Sequence, residues 1–413
     1  MQAFIGIGFL LGLVWLLSEG RSDIRWRAVG IGLLLQLGLA VLLLRVPMVT
    51  ETLFLLNGIV EAVESATRVG SEFMFGYVAG GSAPFDVTAE GALYVFAFRV
   101  LPQIIVFSVL VALLWYWGVL RWIVRGFGAV LQRALGLSGA LGMAAASSVF
   151  LGMVETPLVV RAYLAGLSRS ELFTLMTCGM STVAGSIMVL YASVLADALP
   201  GTLGHILAAS VINVIGAVVY SRIMVPPKDT QSSSDHVTEG LEYSSNMDAI
   251  TRGTADGLRL AVNVGAMVVV LVSLVALVNH MIGGFSVADA PLSLERIMGW
   301  VFSPVAWLVG IPWHEAQAAG GLLGSKLVLN ELIAYLQLSA LPEGTLSASS
   351  TLVMIYALCG FANFGSLGIM LGGLTTLMPE RREELLNVAP KTLISGTVVG
   401  LNTGAIVSLV SLI

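Results

Sequence analysis

The sequence predicts an all-α polytopic membrane protein with eight transmembrane helices, two re-entrant hairpins and an inverted structural repeat built on broken helices. Three observations lead there. Of 413 residues, 57% are hydrophobic and 11% charged, at a mean hydropathy of +0.93; soluble domains carry about 25% charged residues. Several apolar stretches reach the roughly 20 residues that a bilayer-crossing helix needs. A carboxylate, Glu155, stands between Gly152 and Pro157 inside an apolar segment. Insertion there costs about 2.5–3.5 kcal/mol, so the charge is paired or used.

Spans fall near residues 2–18, 28–46, 91–119, 171–197, 204–225, 256–282, 350–377 and 392–413. The net charge of −5 says little, because the placement of Lys and Arg sets orientation. Arg21, Arg25 and Arg27 follow the first span and put that loop inside. Arg121, Arg125 and Arg133, then Arg222 and Lys228, then Arg381, Arg382 and Lys391 fall on the same side. Both termini then face outward. The first run, Ala3 to Leu17, has no Lys or Arg before it and no small-residue cleavage site, so it reads as a retained span. Residues 48–70 alternate apolar and acidic positions at helical spacing, as a helix lying on the membrane does. Residues 120–136 form a second such helix on the inner side. Pro226 to Asn246 is a polar inner loop.

Two regions, 138–168 and 304–340, are apolar but broken by Gly and Pro and hold carboxylates. A single crossing by either would invert the charge pattern after it, so both read as hairpins that enter and leave on one side. The spans after them look alike: Cys178-Gly179 through Gly185-Ser186, and Cys359-Gly360 through Gly365-Ser366. Before them stand Gly152-Met153-Val154-Glu155 and Gly310 through Glu315. Hairpin, broken span and final span thus occur twice, with opposite orientation. Such inverted repeats point to a transporter site at the midplane.

The chemistry gathered near that depth is Glu155, Glu315, Glu331, Asn330, Asn363, Ser366, Thr182 and Ser148. Carboxylate, amide and hydroxyl suit a neutral polyhydroxylated solute, with apolar neighbours to sandwich a ring. No cluster of Lys or Arg lines these segments, which disfavours a phosphorylated cargo. No Gly-Lys nucleotide loop is present, so the energy comes from an ion gradient. His314-Glu315 begins like a zinc-protease motif, but position 318 is Ala. An intramembrane enzyme using Glu155, His314 and Glu315 lacks a metal triad or an activated nucleophile, so no enzymatic activity is expected. Cys178 and Cys359 read as small buried residues. A channel of similar architecture would show leak without ion coupling.

These motifs resemble the concentrative nucleoside transporters. The likeness rests on Gly152-x-x-Glu155-x-Pro157-Leu-Val-Val-Arg161, Pro312-Trp313-His314-Glu315-Ala316, Asn330-Glu331 with Ala334-Tyr335, Cys359-Gly360-Phe361-Ala362-Asn363, and Leu260 to Met267. It runs in order across nearly the whole chain, whose span number resembles bacterial members. It implies a homotrimer in the bacterial inner (cytoplasmic) membrane, importing nucleosides by an elevator motion, with both termini periplasmic. It also implies a division of the chain. Residues 1–47 hold two spans. Residues 48–136 hold the surface helix, third span and linker of the scaffold, and residues 137–225 the first hairpin and transport repeat. Residues 226–255 are the loop, 256–303 the sixth span and outer loop, and 304–413 the second hairpin and repeat.

By the same resemblance, Glu331, Asn363 and Ser366 match positions that hold ribose. Phe361, Leu260 and Ile187 match apolar positions around the nucleoside, and Glu155 matches the acid of the first hairpin tip. Two departures matter. The family's tip reads Gly-Gln-Thr/Ser-Glu, whereas here Met153 and Val154 stand between Gly152 and Glu155, and neither makes strong hydrogen bonds. An altered base preference follows, broader or shifted toward purines or modified bases. The sodium site of sodium-coupled relatives uses an Asn where Ser148 stands; Leu151, Thr182 and Val183 fill its other positions. That set is poorer in oxygen donors, which favours proton coupling through Glu155 or Glu331 over sodium. No other cofactor and no nucleic acid are implied. A free sugar or a bare nucleobase is the rival cargo; retention of the ribose-matching residues disfavours the base.

Overall fold

A computed structural model of the chain describes residues 2–46, 62–87, 93, 95–195, 201–228, 242–287 and 290–411. Among these, six helices or helix pairs are long and apolar enough to cross a membrane. They are Trp26–Arg45, Phe96–Tyr116, Arg169–Val194, Thr202–Met224, Asn246–Ile282 and Pro379–Ser411; Gln2–Leu16, Ala348–Leu358 and Phe364–Leu377 are shorter apolar helices. Each expected span is mainly helical where described, and those at 171–197 and 350–377 are interrupted at 182–184 and 359–363. The starts of the surface helix and of the third span, and residues 229–241 of the polar loop, lie outside the described residues.

The chain opens with α1 (Gln2–Leu16) and α2 (Trp26–Arg45). Residues 62–75, α3, are the described part of the expected surface helix. Next come α4 (Leu101–Tyr116) and α5 (Val119–Leu135). The amphipathic character of α5 matches the expected inner linker. Leu120, Val124, Gly128, Leu131 and Leu135 are buried on one face, while Trp122 projects outward. Gly136, with φ of 61°, ends α5 in the left-handed conformation that glycine adopts freely. Then follow α6 (Gly139–Ser147), α7 (Glu155–Val159), α8 (Arg169–Ser181), α9 (Gly185–Val194) and α10 (Thr202–Met224). The first hairpin is α6 with α7. Pro157 sits in the first turn of α7, where its missing N–H costs nothing. The chain therefore reverses at 148–154, ahead of Glu155, and Thr156 is helical.

After α11 (Asn246–Ile282) and a two-residue antiparallel ribbon (Ser286–Val287 with Ala290–Pro291), the same order returns. It consists of α12 (Leu294–Val309), α13 (Ala316–Val328), α14 (Glu331–Ser339), α15 (Ala348–Leu358), α16 (Phe364–Leu377) and α17 (Arg382–Ser411). Amphipathic helix, hairpin, broken helix and long helix thus occur twice.

Two parts of the expected repeat are corrected. Gly310 to Glu315 is not the counterpart of the first tip, Gly152 to Glu155: the second hairpin turns at Leu329-Asn330, between α13 and α14, and Glu331 opens its return arm. Gly310, with φ of 117°, only ends α12, whereas the Asn330 side chain accepts the Ile333 N–H at 2.9 Å and starts α14. The Cys-Gly pairs are also not equivalent, since Cys178-Gly179 lies inside α8 and Cys359-Gly360 lies in the break. Gly185-Ser186 and Gly365-Ser366 do correspond, each opening the second half of a broken helix.

Helices α4 and α11 form a paired unit, which docks on the rest through α4 against α9, with Phe107 beside Val189. They pack so closely that a Cβ on Gly257 would lie 2.7 Å from the Ile105 Cα, the close approach small residues permit between membrane helices. Otherwise α11 buries only Ala249, Gly253 and Ala261. In contrast, α8, α10 and α17 are buried almost throughout. The broken helices end inside this second unit, wrapped by α10, α17 and the two hairpins.

Candidate nucleoside-binding site

The two units meet around a cavity of about 340 Å³. Every residue the sequence reading assigned to substrate lines it. Gly152, Met153, Val154 and Glu155 come from the first hairpin tip and Ile187 from α9. Leu260 comes from α11, Glu331 from the second hairpin tip, and Phe361, Asn363 and Ser366 from the second break and the start of α16. Residues far apart in sequence converge because helix ends and reversals from both repeats stop at the same place.

Glu331 is the centre of the polar wall and is only 4% exposed. The Asn363 Nδ2 donates to its Oε2 at 2.8 Å, and the Tyr191 hydroxyl donates to its Oε1 at 2.5 Å. Asn363 works at both ends, since its Oδ1 also accepts the Ser366 N–H at 2.7 Å and caps α16. An ionised carboxylate has about four lone-pair directions. Two are filled by these donors, which leaves acceptors for hydroxyl groups in the cavity. Tyr191 packs on Tyr335 of α14, ring centroids 5.0 Å apart, so the second hairpin tip is tied to α9 of the first repeat.

The first tip is held by packing. Met153 lies over Gly179 of α8, and Val154 lies against Gly373 of α16, each within about 3.0 Å of where a Cβ would stand. Gly152 admits the Glu155 carboxylate, because a Cβ there would lie 2.3 Å from Oε2. Glu155 meets no side-chain hydrogen-bond donor among the described residues.

The four residues matched to an ion site do not line the cavity; they lie buried behind it at the end of the first hairpin arm and in the first break. The Ser148 hydroxyl donates to Ala145 O at 2.8 Å and the Thr182 hydroxyl to Cys178 O at 2.9 Å. Gly185 N–H donates to Phe150 O at 2.9 Å and docks the hairpin on the broken helix. The breaks also touch. Gly360, with φ of 118°, leaves no room for a Cβ, which would lie 2.6 Å from Ser181 O. Asn213 of α10 bridges them, its Nδ2 donating to Ser181 O at 2.7 Å and to Cys359 O at 3.2 Å.

Glu315 is not part of this constellation, which corrects its grouping with the midplane carboxylates. It lies between α12 and α13, accepts from the Ser347 hydroxyl at 3.3 Å and faces His314 at 3.5 Å. Several lining residues escaped the sequence reading, including Tyr191, Leu329, Asp256, Arg259 and Asn263. Arg259 is a lining cation on α11, 4.0 Å from Asp256. Helical spacing from Leu260 places Asp256 and Asn263 on its face, a signal the sequence did hold.

Three family models match the chain. The one described as the C-terminus of a Na+ dependent nucleoside transporter covers residues 205–408, its N-terminal counterpart covers 5–78, and a nucleoside-recognition gate covers 97–198. The chain is 36% identical over 411 residues to the uncharacterized transporter YutK of Bacillus subtilis, covering 98% of both chains. It is 34% identical to the nucleoside permease NupC of Helicobacter pylori, over 95% of this chain and 93% of that one. The solved structure of CNTnw in an inward-facing substrate-bound state matches at a TM-score of 0.90 and 34% identity, covering 99% of this chain and 97% of that one. A CNTnw variant in an outward-facing state matches equally well, at a TM-score of 0.90 and 35% identity, with the same coverage. These relatives are transporters, and this chain is a multi-pass membrane protein that belongs to the concentrative nucleoside transporter family.

Proposed function

We propose that the chain imports nucleosides across a bacterial inner membrane, driven by protons, with an altered base preference. The observation that carries the reading is the doubly held Glu331 facing a cavity with Asn363 and Ser366. A carboxylate fixed by two donors, with acceptor directions to spare, suits the vicinal hydroxyls of a ribose. Phe361, Ile187 and Leu260 supply apolar surface for a base. Met153 and Val154 offer that base no strong hydrogen bond, so selection among bases falls to shape and to Glu155. The elevator reading draws support from the contrast between α11, which is exposed along most of its length, and the buried hairpins and broken helices, whose parts would move together. The exposed apolar length of α11 suits the centre of a homotrimer.

Proton coupling is favoured by the contrast between the two acids. Glu331 already receives two side-chain donors, whereas Glu155 meets none among the described residues and is the better placed of the two to take up and release a proton. The hydroxyls of Ser148 and Thr182 are turned back onto their own helices. Sodium is the second reading, favoured by the Na+ dependent family description. The same two hydroxyl oxygens, with main-chain oxygens of Leu151 and Val183, would hold it there as a bound charge.

The test is uptake of radiolabelled uridine and adenosine into proteoliposomes under an imposed H+ or Na+ gradient, beside Glu331→Gln. Accumulation that follows the proton gradient and vanishes in the variant is the expected result. Accumulation that needs Na+ and survives a protonophore overturns the proton reading; no accumulation of either nucleoside overturns the cargo.

A further inference from the structure

Lys326 lies in the apolar run of α13 and is only 3% exposed. Its Nζ donates to Ala357 O at 3.0 Å. Ala357 is the penultimate residue of α15, and the last carbonyls of a helix have no N–H of their own to meet. That end also carries the negative pole of the helix dipole. From the return arm α14, the Tyr335 hydroxyl donates to Ile355 O at 2.9 Å. Both arms of the second hairpin thus grip the same helix end. Helix α17 leaves the space, because a Cβ on Gly400 would lie 3.2 Å from the Lys326 Nζ and 2.9 Å from Ala357 O. One carbonyl does not offset a buried ammonium, which calls for an opposite charge. The buried carboxylate on the same hairpin is Glu331, five residues on across the turn, 4% exposed and hydrogen-bonded to Asn363 of the second break.

We propose that Lys326 is a positioning residue of the substrate site: a cation built into the chain that holds the end of α15 at the second break and offsets the charge of Glu331. The second repeat then carries its counter-charge permanently and exchanges no ion during transport. The proposal rests on reading the cavity as a nucleoside site, but its test does not use a nucleoside.

Thermal unfolding in detergent is measured for the wild type, Lys326→Met, Lys326→Arg, Glu331→Gln and the Lys326→Met/Glu331→Gln double variant. Leaving a buried carboxylate unpaired lowers Tm by about 5–10 °C in a protein of this size. The expected result is that fall in Lys326→Met, with at least half of it recovered in the double variant and most of the wild-type Tm kept in Lys326→Arg. A role confined to capping or filling space gives losses that add, and that result overturns the proposal, as does a Lys326→Met protein as stable as the wild type. If Lys326→Met yields no folded protein, folding of the double variant supports the charge pair and its failure overturns it. Uridine binding by the wild type is measured alongside. Its absence with a coupled cycle would sink the nucleoside reading and leave the charge pair standing.

Discussion

The breaks at 182–184 and 359–363 lie against each other and share one bridging amide, Asn213, yet they are held differently. The first is held by neutral groups throughout, with Ser181 donating to Thr177 O, Thr182 to Cys178 O and Gly185 N–H to Phe150 O of the first hairpin. The second is gripped from outside by Lys326, Tyr335 and the two-ended cap of Asn363. The acids differ in the same sense. Glu331, beside the second break, is tied to Tyr191 and Asn363, while Glu155, beside the first, meets no side-chain donor among the described residues. A break with its charges already paired suits a fixed binding surface. A break held only by neutral groups, next to an acid that meets no side-chain donor among the described residues, suits the exchange of an ion.

The largest expected effect on binding falls on the fixed side. Tyr191→Phe removes one charge-assisted hydrogen bond from Glu331, and such bonds contribute about 1.5–3 kcal/mol. Uridine affinity should drop about 10–100-fold in a binding assay, with little change in the ratio of uridine to adenosine binding. A changed ratio would mean that Glu331 reads the base. Next is the shared bridge. Asn213→Ala leaves Ser181 O and Cys359 O without that donor, and the Thr403 hydroxyl, which donates to Asn213 Oδ1 at 2.6 Å, without its acceptor. That residue is tied through Gln36 and Asn402 to Tyr220. A loss of about 2–4 kcal/mol in stability is expected, read as a lower midpoint of thermal unfolding.

A smaller effect is expected at the first tip. Met153→Gln with Val154→Thr restores hydrogen-bonding groups and should shift competition within a nucleoside panel by about tenfold toward the bases they can pair, while maximal uptake changes little. No shift would place base selection elsewhere. The smallest lies at the loop after α1. Arg169 donates to Glu19 in a two-pronged contact at 2.8 and 2.9 Å, and with Lys391 holds its carboxyl down at about 2. A carboxyl depressed on folding adds stability that is full above about 4.5 and is lost as pH falls through about 2. Glu19→Gln should therefore be slightly less stable than the wild type near neutrality and equal to it at the acid end. Because the pair is partly exposed, salt should shrink the difference.

Much of this arrangement was legible in the sequence. Apolar length gave the helices, and Gly with Pro around a carboxylate gave the first hairpin. Polar positions inside apolar segments named Glu155, Glu331, Asn363 and Ser366, and the family resemblance supplied the apolar residues around the cavity. The misreadings have physical causes. Gly310 to Glu315 imitates a hairpin tip, yet it is a glycine helix end followed by a short turn, while the true tip is marked by Asn330 as an N-cap. Tyr191 and Lys326 were passed over because each is an ordinary residue on an apolar helix. What distinguishes them is a partner on another element, such as Ala357 O for Lys326, and no local pattern reports that.

The difference between the two breaks is tested most directly by Glu155→Gln in proteoliposomes, comparing uridine exchange at equal concentrations with uridine accumulation under an imposed proton gradient. The account predicts that exchange persists while gradient-driven accumulation is lost, because the binding surface at Glu331 is intact and the coupling acid is gone. Proton-driven accumulation equal to that of the wild type would contradict it.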